Sequence, residues 1–454
     1  MTNRLPAGPR WPKTMQTLAW WTRPTALLER CRARYGERFT LRMLVLEPVV
    51  LFTDPDEVKD IFTAPPDAVH PGAGARRSLE PLMGSYSLIL LDGAEHLEQR
   101  KVMLPAFHGQ KMMALDSLMQ QVMEEEMAEW PRDEPIQLLD RMRKLTLEII
   151  LRTVFGLDPG RRLDRVRELI TKQLTMHQFI NPALQRDFGP FKSWSRFLAM
   201  RDETQALIFE LIDERRRSDE DRDDILSMLL QARHEDGSPM TNQELRDELI
   251  TLLIAGHETS AGQLAWTFER LTREPAAHER LVAEIDAGES DAYLTATVHE
   301  ILRHRPVFPV TNGRLVKEPV TIGGHTYPPG IMVSAATHLI HHDSAIYPDP
   351  YAFRPERFLD EQPGTYTWIP FGGGRRRCLG ASFTQVEMKV VLRTVFGQNA
   401  VRAATDEAFE PTVRRGFTVT PGGGAKVVLS SRARRYPEAA AETVADSRPS
   451  IVSA

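Results

Sequence analysis

The apolar positions along this chain follow a helical period over most of its length and a strand period in short patches. Between residues 115 and 233 the helical spacing dominates, as in Leu138-Leu139-Asp140-Arg141-Met142 running on to Phe155. Gly156 and Pro159 stop that helix. Thr241-Asn242-Gln243-Glu244 has the form of a capping box, a hydroxyl residue followed three positions later by Glu. It opens a long segment that runs through Leu249, Ile250 and Leu253 and ends before Pro275. The centre of that segment is apolar nearly all round, which predicts a helix buried inside the molecule. Near the start, residues 39–43 and 49–52 read as strands, and Asp54-Pro55 opens a helix with Asp as cap and Pro in the first turn. Beyond Pro306, short runs at 320–322 and 332–334 alternate with Gly-Gly and Pro-Pro-Gly turns. Helix returns after Gly380.

The pattern describes a helix-dominated body with a smaller strand-rich part, no internal repeat and no linker. One domain over residues 1–432 is the expectation. The polar, alanine-rich stretch 433–454 reads as a disordered tail. Hydrophobic residues make up 42% and charged residues 26%, which suits a soluble globular protein. A net charge of −5 supplies no global basic field for nucleic acid. No apolar run reaches the roughly 20 residues of a bilayer span, and the first residues lack a signal-peptide core. A cytoplasmic location follows as the expectation. A loose membrane contact through Trp20 and Trp21 stays open. Cys31 and Cys378 are too few for a disulfide framework.

Cys378 stands behind a run of glycines and arginines, Pro370-Phe371-Gly372-Gly373-Gly374-Arg375-Arg376-Arg377-Cys378-Leu379-Gly380. Three readings compete for this loop. It is a surface turn with an incidental cysteine, an anion-binding loop made of glycine amides and arginines, or a metal-thiolate loop. A lone cysteine cannot hold zinc or an iron–sulfur cluster, which need several ligands. It can hold a haem iron, because the porphyrin supplies the other ligands.

The loop resembles the haem-binding signature of the cytochrome P450 monooxygenases, with all its fixed positions filled by Phe371, Gly372, Gly374, Arg376, Cys378 and Gly380. The resemblance implies that Cys378 is the thiolate ligand of haem b and that Arg376 pairs with a propionate. Other segments follow the family order. Glu300-Ile301-Leu302-Arg303 fits its Glu-x-x-Arg, and Phe353-Arg354-Pro355-Glu356-Arg357-Phe358 its second arginine segment, which makes Glu300, Arg303 and Arg357 a buried structural cluster by resemblance. His96 and Arg100 match a His-x-x-x-Arg element that holds propionates, and Arg314 stands where the family supplies another propionate arginine. Ala255-Gly256-His257-Glu258-Thr259 resembles the oxygen-binding groove. There Ala255 and Gly256 leave room for dioxygen, Thr259 bonds it or its water, and Glu258 relays protons.

The implied fold is the family's mainly α triangular body with small β-sheets, the haem lying between the long helix and the cysteine loop. The implied reaction is hydroxylation or epoxidation with dioxygen. A peroxide-using or rearranging haem-thiolate enzyme is the alternative, and Glu258-Thr259 argues against it. A cysteine nucleophile in a haem-free enzyme is the rival from another class, but no base or orienting partner flanks Cys378. The chain has no room for a reductase domain, so electrons from NAD(P)H must arrive through a ferredoxin- or flavodoxin-type donor with its reductase. Arg375 and Arg377 are candidates to dock it. The expected pocket lining, Met83, Tyr86, Leu88, Leu90, Met176 and Phe179, with Ile180, Phe191, Val307, Phe308 and Val310, is apolar and implies a lipophilic substrate.

Overall fold

A computed structural model describes residues 5–107, 110–175, 184–187, 189, 192–218, 220 and 222–432. The expected tail, 433–454, lies outside them. The long helix runs Asn242–Leu271. Both arms of its capping box form: Glu244 N–H donates to Thr241 Oγ1 at 3.2 Å, and Thr241 N–H to Glu244 Oε2 at 2.7 Å. Pro275 then begins the next helix, Pro275–Ala287, in its first turn. The long helix is buried at both ends but not throughout. Ala255 is exposed, and Gly256 and Thr259 are half-buried. The expected all-round burial therefore fails at this stretch.

The helix Leu138–Thr153 packs along the long helix. A Cβ on Gly256 would lie 3.1 Å from Ile150 Cδ1, so that glycine lets the two helices approach. The helices Ala292–His304 and Ala381–Gln398 complete the body around the cysteine loop. No helix among the described residues is long and apolar enough to cross a membrane.

The largest sheet orders its strands Arg38–Leu41, Val49–Phe52, Met332–Ala335, Arg314–Val316 and Val69–His70. Arg38 pairs with Phe52 in an antiparallel register, and Val49 pairs with Met332 in a parallel one. Pairing of His70 with Leu315 brings Arg314 from late in the chain to its first third. Beside the sheet lies the helix Pro55–Thr63, capped as expected by Asp54, which accepts from the Asp56 and Glu57 amides at 3.0 Å each. The architecture is mainly α with small β-sheets.

Candidate functional site

Cys378 stands just before the helix Ala381–Gln398. Its N–H donates to Phe371 O at 2.9 Å, and Gly372 N–H donates to Ile369 O at 3.1 Å, so the loop folds back on itself. Gly372 and Gly374 have φ of +65° and +62°, which side-chain-bearing residues rarely adopt. A Cβ on Gly373 would come within 2.1 Å of the Phe62 ring, and one on Gly374 within 2.2 Å of Phe62 O. Two of the glycines therefore seat the loop against the helix Pro55–Thr63, a reason that the loop's own sequence does not reveal. Phe371 is half-buried and meets Trp368 edge-on at 5.9 Å.

Burial pushes the Cys378 thiol up, while the Gly380 N–H, Arg100 and Arg377 pull it down without cancelling the effect. The nearby arginines therefore do not by themselves keep the sulfur ionised: desolvation is the larger influence, and coordination to a metal is what deprotonates such a thiol. The residue is nevertheless solvent-accessible.

Behind the loop, Glu300 and Arg303 are fully buried and form a two-pronged pair at 2.7 and 2.8 Å. Arg303 Nη1 also donates to the carbonyls of His341 at 2.7 Å and Pro350 at 2.8 Å. Arg357 Nε lies 3.5 Å from Glu300 Oε1, and its Nη2 donates to Asp349 O at 2.7 Å. The expected cluster is thus assembled from separate segments. His341 extends it. Its Nδ1 lies 3.0 Å from Arg303 O, and its Nε2 accepts from the Ile369 amide at 2.9 Å. Burial, then the Arg303 charge, pushes His341 down to about 3. The neutral ring therefore carries its proton on Nδ1 and its lone pair on Nε2. Sequence reasoning missed His341, because its partners are backbone groups that leave no side-chain pattern.

In front of the loop, Arg314, Arg376 and His96 line one cleft with Phe62, Val69 and Gly93. Arg314 donates to Ile61 O and to Gly373 O, the latter at 3.3 Å, and lies 4.9 Å over the Phe62 ring. Arg100 acts electrostatically on both Cys378 and His96. Burial pushes Arg314 and Arg376 down to about 10 and lowers Arg100. Among the described residues, Arg100 and Arg314 have no carboxylate partner. Burial, Arg376 and Arg100 push His96 down to about 3, so it enters this site as a neutral donor, not as a cation.

Arg376 has a partner that sequence reasoning missed. It donates to Asp92 Oδ1 at 2.7 Å and to the carbonyls of Leu88, at 3.3 Å, and Leu91. Asp92 also accepts from the Gly72 and Ala73 amides at 2.9 and 2.7 Å. It precedes the helix Gly93–Met103, so its position reads as that helix's cap; its carboxylate in fact caps the helix Pro71–Met83.

On the long helix, Thr259 Oγ1 donates to Ala255 O at 2.5 Å. Glu258 is held by Arg143 in a second two-pronged pair, Nε to Oε2 at 3.0 Å and Nη2 to Oε1 at 2.5 Å. That pair turns Glu258 toward the helix Leu138–Thr153. The absent side chain of Gly256 faces Ile150 of the same helix. Another acid was missed. Glu387 is buried, its carboxyl pushed up to about 8 by desolvation, and it hydrogen-bonds Ser260, the neighbour of Thr259. The available signal was an acid flanked by Val386, Met388, Val390 and Val391 on a core helix.

The expected pocket lining divides. Met83 and Leu90 form a small buried cluster with Leu79, against which Ile254 packs. Leu88 and Val307 belong to the main core, and Val310 packs on the cluster around Trp20. Tyr86 and Phe308 are exposed, as are Arg375 and Arg377. Met176, Phe179, Ile180 and Phe191 lie outside the described residues.

Comparison with known proteins agrees with this geometry. The family description "Cytochrome P450" matches residues 6–426. Two Mycobacterium tuberculosis H37Rv proteins, both provisionally named, are similar along nearly their whole length. Cytochrome P450 138 is 36% identical over 433 residues, 94% of this chain and 97% of that protein. Cytochrome P450 135B1 is 36% identical over 454 residues, 97% of this chain and 94% of that one. Among solved structures, the retinoic acid bound cyanobacterial CYP120A1 superposes with a TM-score of 0.80 at 22% identity, covering 94% of this chain and all (100%) of that one. The cytochrome P450DA heme domain gives 0.82 at 22% identity, covering 95% and 99%. With the family pattern complete at Cys378 and the match spanning nearly the whole chain, this protein belongs to the cytochrome P450 family.

Proposed function

We propose that this protein is a haem-thiolate monooxygenase that inserts one atom of dioxygen into a lipophilic small molecule, by hydroxylation or epoxidation. NAD(P)H supplies the electrons through a separate ferredoxin- or flavodoxin-type donor and its reductase. The observation that carries the reading is the accessible Cys378 thiol with the half-buried Arg100 and the buried Arg314 near it, neither of which has a carboxylate partner among the described residues. These residues fit haem b, which brings an iron for the sulfur and two carboxylates for the arginines.

Haem, when bound, supplies the iron at which dioxygen is activated. Cys378 Sγ is its ligand, and the Gly380 N–H supports the charge on that sulfur. Arg100, Arg314 and Arg376 bind the propionates, and His96 adds a neutral N–H. Phe371 and Trp368 keep water from one side of the loop. Across the site, the small side chain of Ala255 leaves space for a gas molecule and for the end of a substrate. Thr259 Oγ1–H, now donated to Ala255 O, is a hydroxyl that passes a proton into that space. Glu258 can feed it only by leaving Arg143. Glu387, protonated at neutral pH, is a further proton store, bonded to the adjacent Ser260. The exposed Arg375 and Arg377 present positive charge to an acidic electron donor.

The test is an absorption spectrum of purified, haem-supplied protein. A Soret band with the thiolate-type shift on reduction under CO, and substrate-dependent loss of the iron-bound water signal, are the expected outcomes. Folded protein without that band overturns the assignment. Product formation from NADPH through surrogate donors, absent when peroxide alone is offered, separates the monooxygenase from the peroxide-using alternative.

A further inference from the structure

Most of the exposed large hydrophobic side chains among the described residues lie on three segments that meet on one face. Met15, Leu18 and Trp21 recur at three-residue spacing on the helix Lys13–Thr22, 54%, 64% and 44% exposed, while Gln16 and Trp20 turn inward. Of the two tryptophans noted in the sequence, only Trp21 projects. Leu44, Val45 and Leu46 form the tip between the strands Arg38–Leu41 and Val49–Phe52. Val413 and Phe417 stand on the hairpin of Thr412–Arg415 and Thr418–Pro421.

Three separate segments thus contribute, and hydrogen bonds make them one face. The Leu44 amide donates to Thr17 Oγ1 at 2.9 Å, and the Arg42 amide to Gln16 Oε1 at 2.9 Å. The Arg414 guanidinium covers Trp20 at 5.0 Å and Trp21 at 4.4 Å. Val45 adds a second kind of evidence. It holds φ of +66°, a left-handed conformation that is strained for a β-branched residue. Gly or Asn would occupy that turn with less strain, yet the position keeps an apolar side chain in the open.

The charge in the segments that carry the patch is nearly all positive. Arg10, Lys13, Arg23, Arg42, Arg414 and Arg415 flank its apolar residues along the chain, and Glu47 is the lone acid in the same segments. This local basic balance stands against a net charge of −5 for the whole chain. Apolar and tryptophan side chains flanked by arginine and lysine match the two layers of a lipid surface, acyl chains below and anionic headgroups above. They do not match a second copy of the same face, because a two-fold pairing would set the basic rims against each other.

We propose that this face docks peripherally on an anionic lipid bilayer, with Leu18, Trp21, Val45 and Phe417 inserted and the flanking arginines at phosphate level. The test is co-sedimentation of the haem-loaded, full-length protein with vesicles of phosphatidylcholine alone and of equal parts phosphatidylcholine and phosphatidylglycerol. The expected result is binding to the mixed vesicles only, weakened by added salt. The double variant Leu18→Asp/Val45→Asp should lower the partition coefficient by about tenfold or more, and the charge reversal Lys13→Glu by about fivefold or more. Both should keep the haem spectrum and thermal midpoint of the parent. Lys13→Glu, at an exposed helix end, keeps the proposal testable if the double variant does not fold. Absence of binding to the mixed vesicles overturns the proposal, as does equal binding to both compositions or binding unchanged in Lys13→Glu. A dimer that the variants convert to monomer, with the parent protein left in the vesicle supernatant, assigns the face to self-association instead.

Discussion

Two groups of buried and half-buried arginines in this molecule are held in opposite ways. Around Glu300, charge is answered within the chain: Arg303 takes the carboxylate and backbone carbonyls, and Arg357 closes the other side. Before Cys378, the half-buried Arg100 and the buried Arg314 have no carboxylate among the described residues, and Arg376 shares Asp92 with a helix terminus. The first group is completed by folding. The second holds surplus positive charge that an incoming anion relieves. Buried charge that is already paired is architecture; buried charge left unpaired points to a ligand.

Cys378→Ser tests what both groups serve. It should abolish the CO-reduced thiolate band and product formation while far-ultraviolet circular dichroism stays that of a folded protein. Glu300→Ala comes next, because it strands two guanidiniums. A loss of about 3–5 kcal/mol is expected in urea unfolding, with haem released alongside. Arg314→Ala should act the other way on the cofactor-free protein, whose stability should hold or rise as crowded positive charge is removed. Haem should then dissociate about 10- to 100-fold faster, the equivalent of one charge-assisted hydrogen bond of about 1.5–3 kcal/mol. If Arg314→Ala destabilised the cofactor-free protein as much as Glu300→Ala does, the contrast between the two groups would collapse.

Smaller effects belong to the long helix. Thr259→Ala should fold and bind haem normally, since alanine suits a helix. Hydrogen peroxide released per NADPH should rise and product fall, with substrate affinity unchanged. Glu387→Gln should alter only a pH slope. The folded-state pKa of Glu387 is raised above its ordinary value, to about 8. Its contribution is therefore fully present in acid and is lost as pH rises from about 4.5 toward 8. The glutamine variant should flatten that fall in thermal midpoint and leave the acid side unchanged. His341, depressed to about 3, has the opposite sign, its contribution being lost only as pH falls below about 6.5.

The sequence disclosed what depends on side-chain identity at fixed spacing. The capping box at Thr241, the cap at Asp54, the cysteine loop and the Glu300–Arg303–Arg357 cluster all recur in the structure where their patterns stood. It disclosed less where a residue works through the backbone or across the fold. His341 touches an amide and a carbonyl, Gly373 is dictated by a distant Phe62, and Asp92 caps a helix other than the one it precedes. Glu258 shows a third kind of limit. Its place beside Thr259 in the chain suggested a shared task, but on a helix adjacent residues face different ways, and Arg143 holds it on the other side.

The hydrogen bonds of His341 tie the approach to Cys378 to residues far from it along the chain. The Ile369 amide, which begins the approach to Cys378, is positioned by a ring that is itself positioned by the Arg303 carbonyl. Arg303 in turn holds the carbonyls of His341 and Pro350. These contacts close a circuit that joins Arg303, His341, Pro350 and Ile369. A substitution at any member of that circuit should therefore disturb the others, and with them the backbone that leads to the sulfur.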